Sequence, residues 1–182
     1  MSHPSITPEP TVPDTKDWTW VTERPCPECG FDPAAVSPEA LPGLIRDAAA
    51  RFQKALEGRA AERRPQPTTW STIEYARHVA DVCEVMTIRL NLILASDGAG
   101  AEFEDWDQDA AATDEEYWLS DANATRVLVG ERAKSAAKAW AEPEGEQWEW
   151  TGLRGNGSRF TALSLGRYFV HDLVHHLHDV GA

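Results

Sequence analysis

Four stretches of helical apolar periodicity, set apart by proline- and glycine-rich breaks, restrict this 182-residue chain more than any other feature. The clearest begins with the capping-box pattern Ser71-Thr-Ile-Glu74 and continues with Tyr75, Val79, Val82, Met86, Leu90 and Ile93 along one stripe. It predicts a helix of roughly 25 residues that ends near Ser96-Asp-Gly98. An earlier stretch, Leu41 to Glu62, repeats Leu44, Ile45, Ala48, Phe52 and Leu56 at the same spacing. It tolerates Pro42 in its first turn and stops before Pro65-Gln-Pro67. A third, Asp121 to Ala141, is rich in alanine and offers Val127, Leu128, Ala136, Ala137 and Trp140 for burial. The fourth starts at Thr161 and carries Leu163, Leu165, Tyr168, Phe169, Leu173, Val174 and Leu177. With no strand series between them, the economical architecture is all-α, an antiparallel four-helix bundle.

The intervening segments differ from one another. Residues 1–17 hold Pro4, Pro8, Pro10 and Pro13, which exclude regular helix and predict a mobile or draped tail. Trp18, Trp20 and Val21, followed by Pro25-Cys26-Pro-Glu-Cys29-Gly-Phe31, predict a segment that packs on the body, since large aromatics gain nothing in water. The chain thus divides into an irregular extension over 1–36, carrying the C-x-x-C, and a bundle over 37–182. Residues 99–117 concentrate acidic side chains around Phe103 and Trp106, which predicts one long crossover loop with a short helical piece after Thr113. Gly152, Gly155 and Gly157 mark another loop, which has neither a phosphate-binding nor a dinucleotide-binding pattern.

Charge excludes one class of function. With 30 acidic against 17 basic residues and a net charge of -13, the chain has no basic stripe for a nucleic-acid backbone. The first residues lack a leader pattern, and no apolar run approaches about 18 residues, so no membrane partner is expected. Three cysteines do not make a disulfide framework. The expected chain is soluble and cytoplasmic, in a reducing compartment, with a small molecule as its partner and a homodimer through an apolar helix face as its assembly.

The chemistry concentrates in Tyr168-Phe-Val-His171-Asp172-Leu-Val-His175-His176-Leu-His178. On a helix, His171 and His175 lie one turn apart on nearly one face, so both imidazoles can reach one metal ion. His78, near the start of the second helix, is the upstream residue that could join them, leaving a fourth position for water or substrate. The alternative is histidines serving as polar surface or hydrogen-bonded core edge. His176 is rotated about 100° from His175 and fits that centre poorly. His178 lies on the histidine face but near the helix end. Tyr168 and Ser164 lie close to the His171 line and could touch substrate, and Arg89 could attract a carboxylate. Asp172 could orient a histidine. Asp105, Asp107 or Asp109 could serve as a base or a further ligand. Cys26 and Cys29 fit half of a zinc site, a redox dithiol or two packed small residues. Cys83 reads as a buried small hydrophobe.

A family resemblance rests on four stretches: Trp18 to Asp32 with its Cys26-Pro-Glu-Cys29, Trp70 to Val79 with His78, the loop Phe103 to Asp109, and Arg167 to His176. Together they resemble the DinB-like superfamily, also called the YfiT-like metal-dependent hydrolases, and most closely its actinobacterial members. The resemblance implies a four-helix bundle in which one histidine of the second helix and an H-x-x-x-H pair of the fourth hold a metal. Matched residue by residue, those are His78, His171 and His175. It further implies a divalent ion, with zinc or nickel the usual choice and iron another. Kinship with enzymes that use a low-molecular-weight thiol such as mycothiol for isomerisation or S-transfer is also implied. Metal-dependent hydrolysis and metal binding without turnover stand as the other functions such a bundle could host.

Overall fold

Ser71 and Glu74 cap one another: Ser71 Oγ accepts from the Glu74 N–H, and Glu74 Oε2 accepts from the Ser71 N–H at 2.8 Å. Helix α2, Thr72–Ala95, therefore begins where the sequence places it. Glu74 is buried and also accepts from Nε of Arg64 at 2.9 and 3.0 Å, which fastens the preceding connection to the start of α2. The computed structural model describes residues 7–13 and 15–182, so the part of the proline tail holding Pro4 lies outside the described residues.

Helix α1 runs over Leu41–Ala55 and stops short of Glu62, because residues 56–63 fold into successive tight turns around Gly58. Helix α3, Gln108–Asp114, lies before the position expected for the short helical piece, since Asp107 rather than Thr113 supplies the cap. Helices α4, Ala122–Ala139, and α5, Ala162–Asp179, follow caps at Asp121 and Thr161. α4 and α5 each pack against both α1 and α2, so α1 and α2, consecutive in sequence, face each other across the bundle. The core includes Leu41, Ile45, Phe52, Leu90, Trp140 and Phe169. A Cβ at Gly166 would lie 2.8 Å from side-chain carbons of Leu41 and Trp140, so glycine permits the close approach of α5 to that core. In α4 the buried face carries Val129, Ala133, Ala136 and Ala137, whereas Val127 is 53% exposed. An alanine-rich stripe marks its own rotation weakly.

The crossover loops contain a small sheet that periodicity did not announce. Strand β1, Ala101–Phe103, pairs in parallel with β2, Thr151–Arg154, which pairs antiparallel with β3, Arg159–Thr161. It ties the acidic loop to the glycine-rich loop beside the start of α5. The aromatic segment before the bundle packs as expected: Val21, Phe31 and Val36 are buried, with Trp18 and Trp20 against the same core. Among the described residues no helix is long and apolar enough to cross a membrane.

Candidate metal centres

Helix α5 offers metal donors on two adjacent faces, each made by an i, i+4 pair. Asp172 and His176 turn toward α2, where His78 is fully buried; His171 and His175 turn toward the segment carrying Cys26 and Cys29. In each group the donor atoms lie within 4.8 Å of one another. The structure therefore divides the expected set: His78 stands with Asp172 and His176, and His171 and His175 stand with the two cysteines. One residue along a helix is about 100° of rotation, enough to point neighbouring side chains at different partners.

In the first group, Oδ1 of Asp172 lies 3.4 Å from Nε2 of His78 and 3.7 Å from Nε2 of His176. Donors held at about 2.0–2.1 Å from one tetrahedral ion stand about 3.3 Å apart, so the three atoms fit a shared cation. Among the described residues, neither ring nitrogen of His78 has a hydrogen-bond partner, nor does this Asp172 oxygen, and all three atoms are shut off from water. Buried polar atoms left this way are costly unless something satisfies them. Burial holds the His78 imidazole below its ordinary range despite the nearby Asp172 carboxylate, which favours the neutral ring with one nitrogen lone pair open to a metal. Burial alone would raise the Asp172 carboxyl, but the imidazoles of His176, His78 and His171 outweigh it and bring it down to about 2. Trp106 stacks on His78 with ring centroids 5.5 Å apart and planes 10° from parallel. His176 also meets Asp179, whose Oδ2 lies 2.8 Å from its Nδ1.

In the second group, Cys26 Sγ lies 4.0 Å from His175 Nδ1. Burial brings the His171 imidazole down to about 4 and pushes the Cys29 thiol up to about 11. Trp18 lies over both imidazoles, with centroids 5.2 Å from His171 and 4.7 Å from His175.

A cleft of about 640 Å³ opens beside both groups and is lined by Trp18, Asp105, Trp106, Arg154, Tyr168, Asp172 and His176, among others. Tyr168 thus reaches the cleft, and its hydroxyl accepts from Nη1 of Arg154 at 3.5 Å. Asp105 stands 3.6 Å from Nε of Arg154. Arg154, missed by sequence reasoning, ends strand β2 within a glycine-rich stretch that has no pattern to mark it.

Other candidates have different work. Arg89 is buried, donates to the Glu104 carbonyl at 3.0 Å and lies over Phe103, so it holds β1 in place beside a second, more apolar cleft. Ser164 completes the capping box of α5 with Thr161. Asp107 caps α3, and Asp109 lies in its first turn. Cys83 is buried, which pushes its thiol up to about 12. His178 is exposed and belongs to neither group. His176 and Asp172 are the functional candidates that the sequence reading passed over as ligands. Their signal was a second i, i+4 pair, D-x-x-x-H, displaced by one residue from the histidine pair.

Comparison with known proteins agrees with this architecture. Residues 37–180 match the family model described as the DinB superfamily. Among solved structures, the chain is similar to one described as YfiT from Bacillus subtilis, a probable metal-dependent hydrolase with an unusual four-helix bundle topology. The two are 17% identical, the match covers 79% of this chain and 86% of that one, and the TM-score is 0.67. No curated protein matches the sequence.

Proposed function

The chain belongs to the DinB superfamily, and from that premise we propose that it is a metal-dependent enzyme whose ion is held by His78, Asp172 and His176. The observation that carries this reading is the buried Asp172 oxygen, set between two imidazole nitrogens at 3.4 and 3.7 Å without a hydrogen-bond partner. A divalent ion, zinc or nickel, supplies Lewis acidity there, lowering the pKa of a bound thiol or water and polarising a substrate oxygen.

The remaining work falls to the chain's own residues. Trp106 covers His78, fixes its ring plane and keeps bulk water from that side. Arg154 presents a guanidinium to the cleft, suited to a carboxylate or another planar anion, and donates to the Tyr168 hydroxyl, which is thereby positioned at the same wall. Burial raises the Tyr168 phenol above its ordinary value although Arg154 opposes this, so it remains a hydrogen-bond donor at neutral pH.

The finer reading is transfer or isomerisation with a low-molecular-weight thiol of the mycothiol kind, acting on a small electrophile. A cleft of about 640 Å³ supports it, because it has room for a thiol chain beside a second small molecule. Hydrolysis is the second reading, favoured by the likeness to a fold described as a probable metal-dependent hydrolase. An activity screen of zinc- or nickel-reconstituted protein, run with and without added thiol on electrophiles and on esters and amides, separates the two. The expected result is thiol-dependent turnover that His78→Ala abolishes. Equal turnover and equal metal content in wild type and His78→Ala would overturn the centre itself.

A further inference from the structure

We propose that Cys26, Cys29, His171 and His175 form a second metal site, a closed zinc centre that fastens the N-terminal segment to α5. It rests on side chains outside the proposed catalytic set and stands independently of that reading.

The donor chemistry is the first support. Two sulfurs and two imidazole nitrogens complete a tetrahedron and suit zinc, leaving no open position for substrate. The spacing is the second. With bonds of about 2.3 Å to sulfur and about 2.0–2.1 Å to nitrogen, sulfur and nitrogen donors stand about 3.6 Å apart. Cys26 Sγ and His175 Nδ1 are 4.0 Å apart, and all four donors lie within 4.8 Å of one another.

The backbone of the cysteine turn is shaped for this purpose. Gly30 takes φ +76°, its N–H donates to the Cys26 carbonyl at 2.9 Å, and the Cys26 N–H donates to the Phe31 carbonyl at 2.8 Å. The chain therefore reverses tightly enough to bring both sulfurs to one side. Both cysteines are free thiols.

The surroundings cover much of the site, although His171 and His175 also line the neighbouring cleft. Cys26 is 1% and His171 4% exposed, and Nε2 of His171 is shut off from water with no hydrogen-bond partner among the described residues. Trp18 and Phe31 pack on the His171 ring. His175 has Glu28, within the cysteine motif, 3.9 Å from its Nε2, while Nδ1 faces Cys26. A carboxylate on the far nitrogen orients a ligating imidazole. An ion held here joins residues 26–29 to α5 and so fixes Trp18, which forms one wall of the catalytic cleft.

Cobalt(II) reconstitution of the full-length, metal-stripped protein tests the site without relying on a variant that must fold. The wild type is expected to show a near-ultraviolet thiolate-to-cobalt charge-transfer band and the intense visible bands of tetrahedral cobalt. Cys26→Ser with Cys29→Ser removes the charge-transfer band and about one equivalent of bound metal. His78→Ala leaves the band intact, which keeps this site's test separate from that of the catalytic centre. Absence of the band from cobalt-loaded wild type, or its survival in the double cysteine variant, would overturn the proposal.

Discussion

The two faces of α5 differ by one residue of register and by nearly everything else. The 172/176 face looks to α2 and offers two imidazoles and a carboxylate, three donors beside an open cleft. The 171/175 face looks to the segment before the bundle and meets two sulfurs, four donors packed among aromatic rings, with both imidazoles also reaching the cleft. Donor number decides what each face can do: an incomplete set leaves room for substrate, and a complete set only holds the chain together. A single helix can therefore place a reactive centre and a structural one side by side, provided each has its own partner segment.

The contrast can be broken from the structural side first. Cys26→Ser with Cys29→Ser is expected to cost about 4 kcal/mol in unfolding free energy, the linkage expected for an ion at roughly 1,000 times its Kd. Denaturant titration with and without zinc checks this, and the zinc dependence should vanish in the variant. On the catalytic side, His78→Ala should lower turnover at least about 100-fold, or about 2.7 kcal/mol in the barrier, while thermal stability changes less than in the cysteine variant. A sharper partition than that would still fit; the reverse order of effects would not.

Two smaller changes probe the frame that both faces share. Gly166→Ala forces a methyl group into Leu41 and Trp140, and overpacking of this kind should cost about 2 kcal/mol, read as a lower midpoint in thermal unfolding. Because α5 carries both donor pairs, metal affinity at both sites should weaken together. Ser71→Ala removes only the cap of α2 and should cost about 1 kcal/mol while leaving metal content unchanged.

The same contrast explains what the sequence made legible. The capping box placed the start of α2 to the residue and the apolar stripe placed that of α5 within one, because Ser71, Glu74 and Thr161 act on backbone groups close in sequence. The histidine pair at 171 and 175 was visible for the same reason: i, i+4 geometry is local. Which helix face looks at α2 depends on how α5 is rotated in the assembled bundle, and no local pattern states that. Hence His171 and His175 were expected beside His78, although the rotation brings Asp172 and His176 there. The strands escaped notice because three or four residues give too few alternations to mark a period. Arg89 read as a cation that could attract a carboxylate, yet it is buried by the Glu104 carbonyl and by Phe103 at the end of β1, which local pattern does not bring to it.

The most direct test compares two adjacent substitutions, His171→Ala and Asp172→Ala, by elemental analysis and cobalt spectroscopy on tag-free protein reconstituted under the same conditions. Wild type should hold about two equivalents, and each variant about one. The thiolate band should disappear in His171→Ala and persist in Asp172→Ala. A single equivalent in wild type that both substitutions abolish would contradict the division and show one centre shared by the two faces.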